Sequence, residues 1–334
     1  MAKARSRDFH KARSCHYTQL KKSGNEVLLP KRVDISFQML GQFPAHATKE
    51  QIVNNFAALF IAIILGINLL LPNDVKASTT TPHDPIIYVH GVGVPSFPFE
   101  KIVPLPWLFK KLGYRLYIAK TPATASLEES SQVLLQEIKR LVPLGRYHLI
   151  GHSMGGLVAR LALSQNIQES HRCLSLTTIS TPNHGAPVAD WVLKEIERAS
   201  SSRLLQRILD FFGNDIEVVR QLSTKYVEHT FNLNVMNSSN VKYFSLGFYI
   251  PNPTLLYTQN PYMLLANKIN SDAGFPLSDG PVTIESANWG KSLGIRPGDH
   301  YSSTSEILFG GKIIYADVMR TITNNLNQEF YPNK

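Results

Sequence analysis

The order of apolar and polar positions becomes regular after residue 78. Ile86, Ile87, Tyr88 and Val89 follow the polar, Pro-broken stretch STTTPHDP and end at His90-Gly91, which predicts a short buried strand. Leu116 to Ala119 predicts a second strand. Between Leu127 and Val142, apolar residues at 127, 134, 138, 141 and 142 recur at helical spacing before Pro143, so an amphipathic helix is expected there. Tyr147 to Ile150 then reads as a strand, Leu157 to Leu163 as a helix and Leu174 to Ile179 as another strand. Strands alternating with helices imply a mostly parallel sheet with helices on both faces. From Val188 to about Phe231 the pattern turns wholly helical, with Leu204, Ile208 and Phe212 at four-residue steps and Leu205 and Leu209 beside them, which predicts a helical insertion. Strand character resumes from Tyr243 to Tyr249, and a last helix is expected over Ile314 to Leu326. Residues 250–310 show no decisive periodicity.

A different pattern lies upstream. Between Glu50 and Asp74 there are 23 residues without a charge, and Phe56 to Leu71 is apolar apart from Gly66 and Asn68. About 20 such residues cross the hydrocarbon core of a bilayer. The composition, 43% hydrophobic and 18% charged over 334 residues, excludes disorder for most of the chain. The net charge of +9 suggests nucleic-acid binding until it is located: residues 1–51 hold ten Lys or Arg against four Asp or Glu, a net of +6, leaving +3 for the rest. A basic flank beside an apolar span sets membrane orientation, so no nucleic-acid partner is expected. The sequence thus predicts a basic segment over 1–51, a transmembrane helix or signal anchor over 52–72, a linker over 73–84 and a catalytic domain over 85–334, with the helical insertion at 188–235. A membrane-anchored protein with its catalytic domain outside the cytoplasm follows. Small and aliphatic residues at Val75-Lys76-Ala77 keep open cleavage near Ala77 and a secreted or periplasmic product, and in a eukaryote the basic, acid-poor head would serve as a mitochondrial address. Cys15 and Cys173 flank the apolar segment on opposite sides, so a disulfide framework is not expected.

Chemistry enters at Gly151-His152-Ser153-Met154-Gly155, between the strand YHLI and the helix GLVARLAL. This is the pattern of a nucleophile elbow, a turn so tight that its flanking positions require glycine and its Ser hydroxyl projects from the sheet edge. Serine needs an imidazole to take its proton and a carboxylate to hold that imidazole in one tautomer, and on such a scaffold the acid and the histidine follow the serine. Of eleven histidines only His171, His184, His229 and His300 lie beyond Ser153. His171 precedes the next strand and His229 sits in the insertion, leaving His184 and His300; His300 is late enough to follow an acid. Asp279, in Ser278-Asp279-Gly280-Pro281-Val282, sits in a turn that can present a carboxylate, with Asp272 as the alternative. Asp299 adjoins His300, and sequence neighbours seldom face each other well enough for an orienting bond. Two backbone N–H donors are needed for the oxyanion, and Val92 in His90-Gly91-Val92-Gly93 and Met154 are placed to supply them. Phe97, Phe99 and Trp107 are candidates to wall an acyl pocket or to fill the core.

PIIYVHG, YHLIGHSMGGLVAR, LSLTTISTPNHG, SDGPVTIESANWG and GDH together resemble triacylglycerol lipases of the α/β-hydrolase superfamily, bacterial extracellular and fungal, over roughly residues 82–334. The resemblance implies an α/β-hydrolase fold, a triad of Ser153, Asp279 and His300, an oxyanion hole at Val92 and Met154, a lid region at the insertion, whose apolar face either swings onto a lipid surface or stays packed on the sheet, and a lipid ester as substrate at a membrane or lipid interface. Bacterial members commonly hold a structural calcium through an acid two residues after the catalytic histidine. Here Ser302 stands at that position, so neither calcium nor another cofactor is expected. His184 follows Asn183 where those relatives often carry histidine, and it is expected to be a turn residue.

Overall fold

Six strands, β1 (Ile86–Val89), β2 (Leu116–Ile118), β3 (Tyr147–His152), β4 (Cys173–Ile179), β5 (Lys242–Tyr249) and β6 (Lys291–Pro297), form one sheet in a computed structural model of the chain. Their order is β2-β1-β3-β4-β5-β6 and every pairing is parallel. The structure describes residues 83–92, 105–122, 124–199, 202–212, 214–254, 258, 260–304 and 314–332, all within the compact unit of residues 73–334. The basic segment 1–51, the apolar segment 52–72 and nearly all of the 73–84 linker lie outside the described residues. Among the described residues no helix is long and apolar enough to cross a membrane.

Strand side chains alternate between faces, and both faces are dry. Ile87, Val89 and Leu149 point into one apolar cluster, whereas Ile86, Tyr88 and Ile150 point into another. A parallel sheet covered on both sides accounts for the unbroken apolar run of β1 and for the complete burial of β3. Among the described residues, ten α-helices of four or more residues accompany the sheet: α1 (Leu105–Lys111), α2 (Leu127–Leu141), α3 (Met154–Gln165), α4 (Ile167–Arg172), α5 (Pro187–Glu197), α6 (Arg203–Phe211), α7 (Ile216–Leu222), α8 (Pro261–Asp272), α9 (Ile284–Ala287) and α10 (Tyr315–Phe330). Helix α2 shows why such a segment folds. Ser126 caps its start by accepting the Glu129 N–H at 3.1 Å, Leu127, Leu134 and Ile138 form its buried stripe, and Pro143 follows its end.

The predicted strands and long helices fall on observed elements within a few residues. Within the insertion, α5, α6 and α7 are followed by short helical turns at Thr224–Tyr226 and Asn232–Asn234, on either side of a π-helical turn at Val227–Phe231. Its apolar face, including Val188, Val192, Leu205, Ile208, Phe212 and Val219, belongs to the same core cluster as α2 and α3. Helix α1 and the elements α8, α9 and β6 had no clear sequence signal. For β6 the reason is its place at the sheet edge, where Lys291, Ser292 and Ile295 are exposed and the apolar pattern vanishes.

Two polar clusters brace this frame. On α3, Arg160 is buried and donates to Asn183 Oδ1 at 3.3 Å and Asn232 Oδ1 at 2.8 Å, with its guanidinium 3.5 Å from the Trp289 ring centroid. Burial lowers its pKa to about 9. At the opposite, N-terminal edge of the sheet, the hydroxyl of Tyr331 donates to Asp84 Oδ2 at 2.8 Å and therefore accepts from His148 Nε2–H at 3.1 Å. Ser175 Oγ donates to the other ring nitrogen at 2.8 Å, so His148 is held neutral, and burial lowers its pKa to about 4.

Candidate active site

The site is built where β3 meets α3. Ser153 adopts φ 54° and ψ −133°, a backbone conformation that costs a non-glycine residue energy and is held here by hydrogen bonds on both sides. Its N–H donates to Ile179 O at 2.9 Å, and its carbonyl accepts from Gly156 N at 3.1 Å. The turn is crowded enough that glycine is obligatory at two contacts. A Cβ on Gly155 would lie 2.4 Å from the carbonyl oxygens of Val89 and His90, and one on Gly91 would lie 2.6 Å from Ser153 Cβ. The close approach of Gly91 brings the loop carrying Val92 against the serine.

Three residues distant in sequence meet at this point. His300 Nδ1 lies 2.8 Å from Asp279 Oδ2, and His300 Nε2 lies 2.9 Å from Ser153 Oγ. A carboxylate only accepts, so the His300 proton sits on Nδ1, and Nε2 is left to accept the serine O–H. Ser153, Asp279 and His300 are 8%, 1% and 2% exposed, so bulk water barely reaches the relay in this conformation.

The acid is fixed by its own turn. Val282 N donates to Asp279 Oδ1 at 2.9 Å, Gly280 takes φ +115°, and His300 N donates to the Asp279 carbonyl at 2.9 Å. From α8, Asn267 donates to the Ser278 carbonyl at 3.1 Å and Asn270 to the Gly280 carbonyl at 2.7 Å. These two asparagines, three apart on one helix face, were not singled out from the sequence. Their signal was their burial-compatible spacing beside the SDGP turn, and it surfaces only once α8 is placed.

The alternative residues go elsewhere. Asp272, at the end of α8, is exposed and pairs with Lys268 at 2.9 Å. Asp299 is buried, and its carboxylate accepts from Thr258 Oγ1 at 2.5 Å and Ser302 N at 2.8 Å. His184 sits in the turn after β4, its N–H donating to Ser286 Oγ at 3.2 Å and its ring 5.6 Å from Trp289. His171 lies on α4 and His229 is exposed in the π-helical turn.

Met154 opens α3, so the helix itself does not use its N–H, and Val92 is buried beside Gly91. Phe97, Phe99 and the Trp107 side chain lie outside the described residues. A cleft of about 800 Å³ between α5, α8 and α9, lined by His184, Trp191 and Phe275 among others, contains none of Ser153, Asp279 and His300. The hydrogen-bond relay locates the site. At the position two residues after His300, the Ser302 hydroxyl donates to the Asp299 carbonyl at 3.1 Å and accepts from the Asp299 N–H at 2.9 Å. Among the described residues no group of three or more His, Cys, Asp or Glu is placed to hold a metal ion.

A strained serine between a parallel strand and a helix, with histidine and acid arriving from later loops, defines an α/β-hydrolase scaffold. The chain belongs to the α/β-hydrolase fold family, whose model matches residues 120–292. It is 34% identical over 197 residues to triacylglycerol lipase 2 of Saccharomyces cerevisiae. That match covers 56% of this chain and 57% of the yeast protein, so the chain aligns with little more than half of that relative's length. Among solved structures it resembles the metagenomic carboxyl esterase MGS0156, with TM-score 0.60 and 14% identity over 75% of this chain and 77% of that one. It also resembles mature Bacillus licheniformis lipase BlEst2, with TM-score 0.55 and 20% identity over 74% and 94%. At these identities the structural likeness shows the fold.

Proposed function

We propose that this chain is a serine ester hydrolase, a lipase that cleaves carboxylic esters of lipids, triacylglycerols foremost, through an acyl-enzyme on Ser153. The observation that carries the proposal is the unbroken relay from Asp279 through His300 to Ser153 Oγ. In the first half-reaction Ser153 Oγ attacks the ester carbonyl while its proton passes to His300 Nε2, and Asp279 stabilises the imidazolium that forms. The oxyanion is met by the N–H groups of Met154 and Val92. His300 then protonates the departing alcohol, and the C–O bond to it breaks. In the second half, water gives a proton to His300 and its oxygen attacks the acyl carbon, releasing the acid and restoring Ser153. The chain's own groups suffice for these steps. The sequence likeness to the yeast triacylglycerol lipase supports glycerides as the acyl donor.

The same machinery also serves phospholipase, thioesterase and acyltransferase chemistry, since a triad fixes neither acyl donor nor acceptor. Competition between water and an added alcohol as acceptor separates transfer from hydrolysis. The basic head and the uncharged segment 51–73 support a tethered or exported enzyme working at a lipid interface. The function is tested by labelling with a fluorophosphonate. The wild type is expected to carry the label on Ser153 and Ser153→Ala to remain unlabelled; a wild type that takes no label would instead make the fold a binding scaffold.

A further inference from the structure

His152 precedes the nucleophile and has no place in the triad, yet it is buried directly behind His300. Its Nε2 lies 3.0 Å from the His300 carbonyl oxygen, and the two ring centroids are 4.8 Å apart at a tilt of 42°. A carbonyl oxygen only accepts, so His152 carries its proton on Nε2. Together with Ser303 Oγ, which donates to the same carbonyl at 3.0 Å, it holds one side of the His300 peptide, while the His300 N–H grips Asp279 on the other. The strand that sets Ser153 in its elbow thus also sets the backbone of the base.

We infer that His152 is a positioning residue: its Nε2–H fixes His300 so that the imidazole meets Ser153 Oγ and Asp279 together, and its ring stays uncharged beside the base. The inference rests on the ester-hydrolase function proposed above. Two features of the site require the second part. Catalysis generates an imidazolium at His300, and a second cation 4.8 Å away, in a site shielded from water, would oppose it. Full burial is the main influence that disfavours a charge on His152; the titratable groups facing it, His300 from the loop after β6 and His90 from the loop after β1, add to that effect, and only the hydrogen bond to the His300 carbonyl opposes it. Its ordinary pKa is thereby lowered well out of the range of a free histidine.

The inference is tested in the full chain with His152→Leu, which removes the donor, and His152→Gln, whose amide N–H can reach the same carbonyl. Loosening the base is expected to lower kcat of His152→Leu by about tenfold to a hundredfold, with KM within about twofold of wild type. His152→Gln should recover most of the loss. Equal losses in both variants, wild-type rates in both, or an effect confined to KM would overturn the positioning role. Histidine-¹⁵N NMR tests the same claim once the His152 signals are assigned by their loss in His152→Gln, which separates them from those of His148: the His152 imidazole should stay neutral in the Nε2–H form through the pH range in which free histidine titrates. Titration of His152 within that range, or an Nδ1–H form, would overturn it. Ser153→Ala is assayed alongside, because full activity there would remove the proposed function itself, whereas failure of the His152 variants alone would leave that function standing.

Discussion

The serine, the histidine and the acid contribute differently, and single substitutions separate them. Ser153→Ala and His300→Ala are each expected to lower kcat by about three or more powers of ten, with unchanged thermal unfolding. Asp279→Asn leaves the shape intact but offers His300 Nδ1–H an amide that can rotate to present N–H, which favours the wrong tautomer. Its kcat should fall by about 10³-fold or more, measured under saturating ester. Asp272→Asn, by contrast, should leave kcat within about twofold, since that carboxylate faces Lys268 and solvent. Ser153 was legible in the sequence because its elbow imposes glycine locally. Chain order and turn composition favoured Asp279 over Asp272 and His300 over His184, and the structure brings the favoured pair to Ser153. His152, Asn267 and Asn270 were not, because each acts through a backbone carbonyl contributed by another segment, and no local pattern marks such a bond.

At the scale of elements, the elbow demands that α3 pass within contact of β1. Gly155→Ala would place a methyl carbon 2.4 Å from the carbonyl oxygens of Val89 and His90, which are backbone atoms and cannot swing aside. Helix and strand must separate, at a cost of roughly 1–3 kcal/mol. Chemical denaturation should show that loss, with activity falling at the same time because the His90–Val92 loop shifts from Ser153. Strand β1, buried on both faces, announces itself as an apolar run, and β3 and β4 through the apolar residues clustered within them. Edge strand β6 does not, since its residues answer to solvent as much as to the core, and α8 has few buried apolar positions beside its asparagines. The 188–235 insertion was recognisable as helical, but its depth in the core was not. Its stripe packs against the cluster beneath α2 and α3, and the hydrophobic period alone does not tell which surface a stripe covers.

For the whole molecule, pH acts on the frame through His148, on the edge of the sheet opposite the site. Its folded pKa of about 4 lies below the ordinary 6.5, so the unfolded chain binds the extra proton first and stability falls as pH drops from about 6.5 towards 4. The full difference is roughly 3 kcal/mol by linkage. Urea midpoints measured from pH 7 to 4 should decline for wild type and decline less for His148→Gln. An equal slope in both would show that other groups carry the acid sensitivity.

The central claim is that Ser153, fed by His300 and Asp279, opens lipid esters. It is met most directly by fatty-acid release from an emulsified long-chain triacylglycerol, the full chain and its Ser153→Ala variant compared at equal concentration. Release by the wild type alone is the predicted result. Equal release by both proteins would contradict the account, because the ester would then be opened without the serine on which it rests.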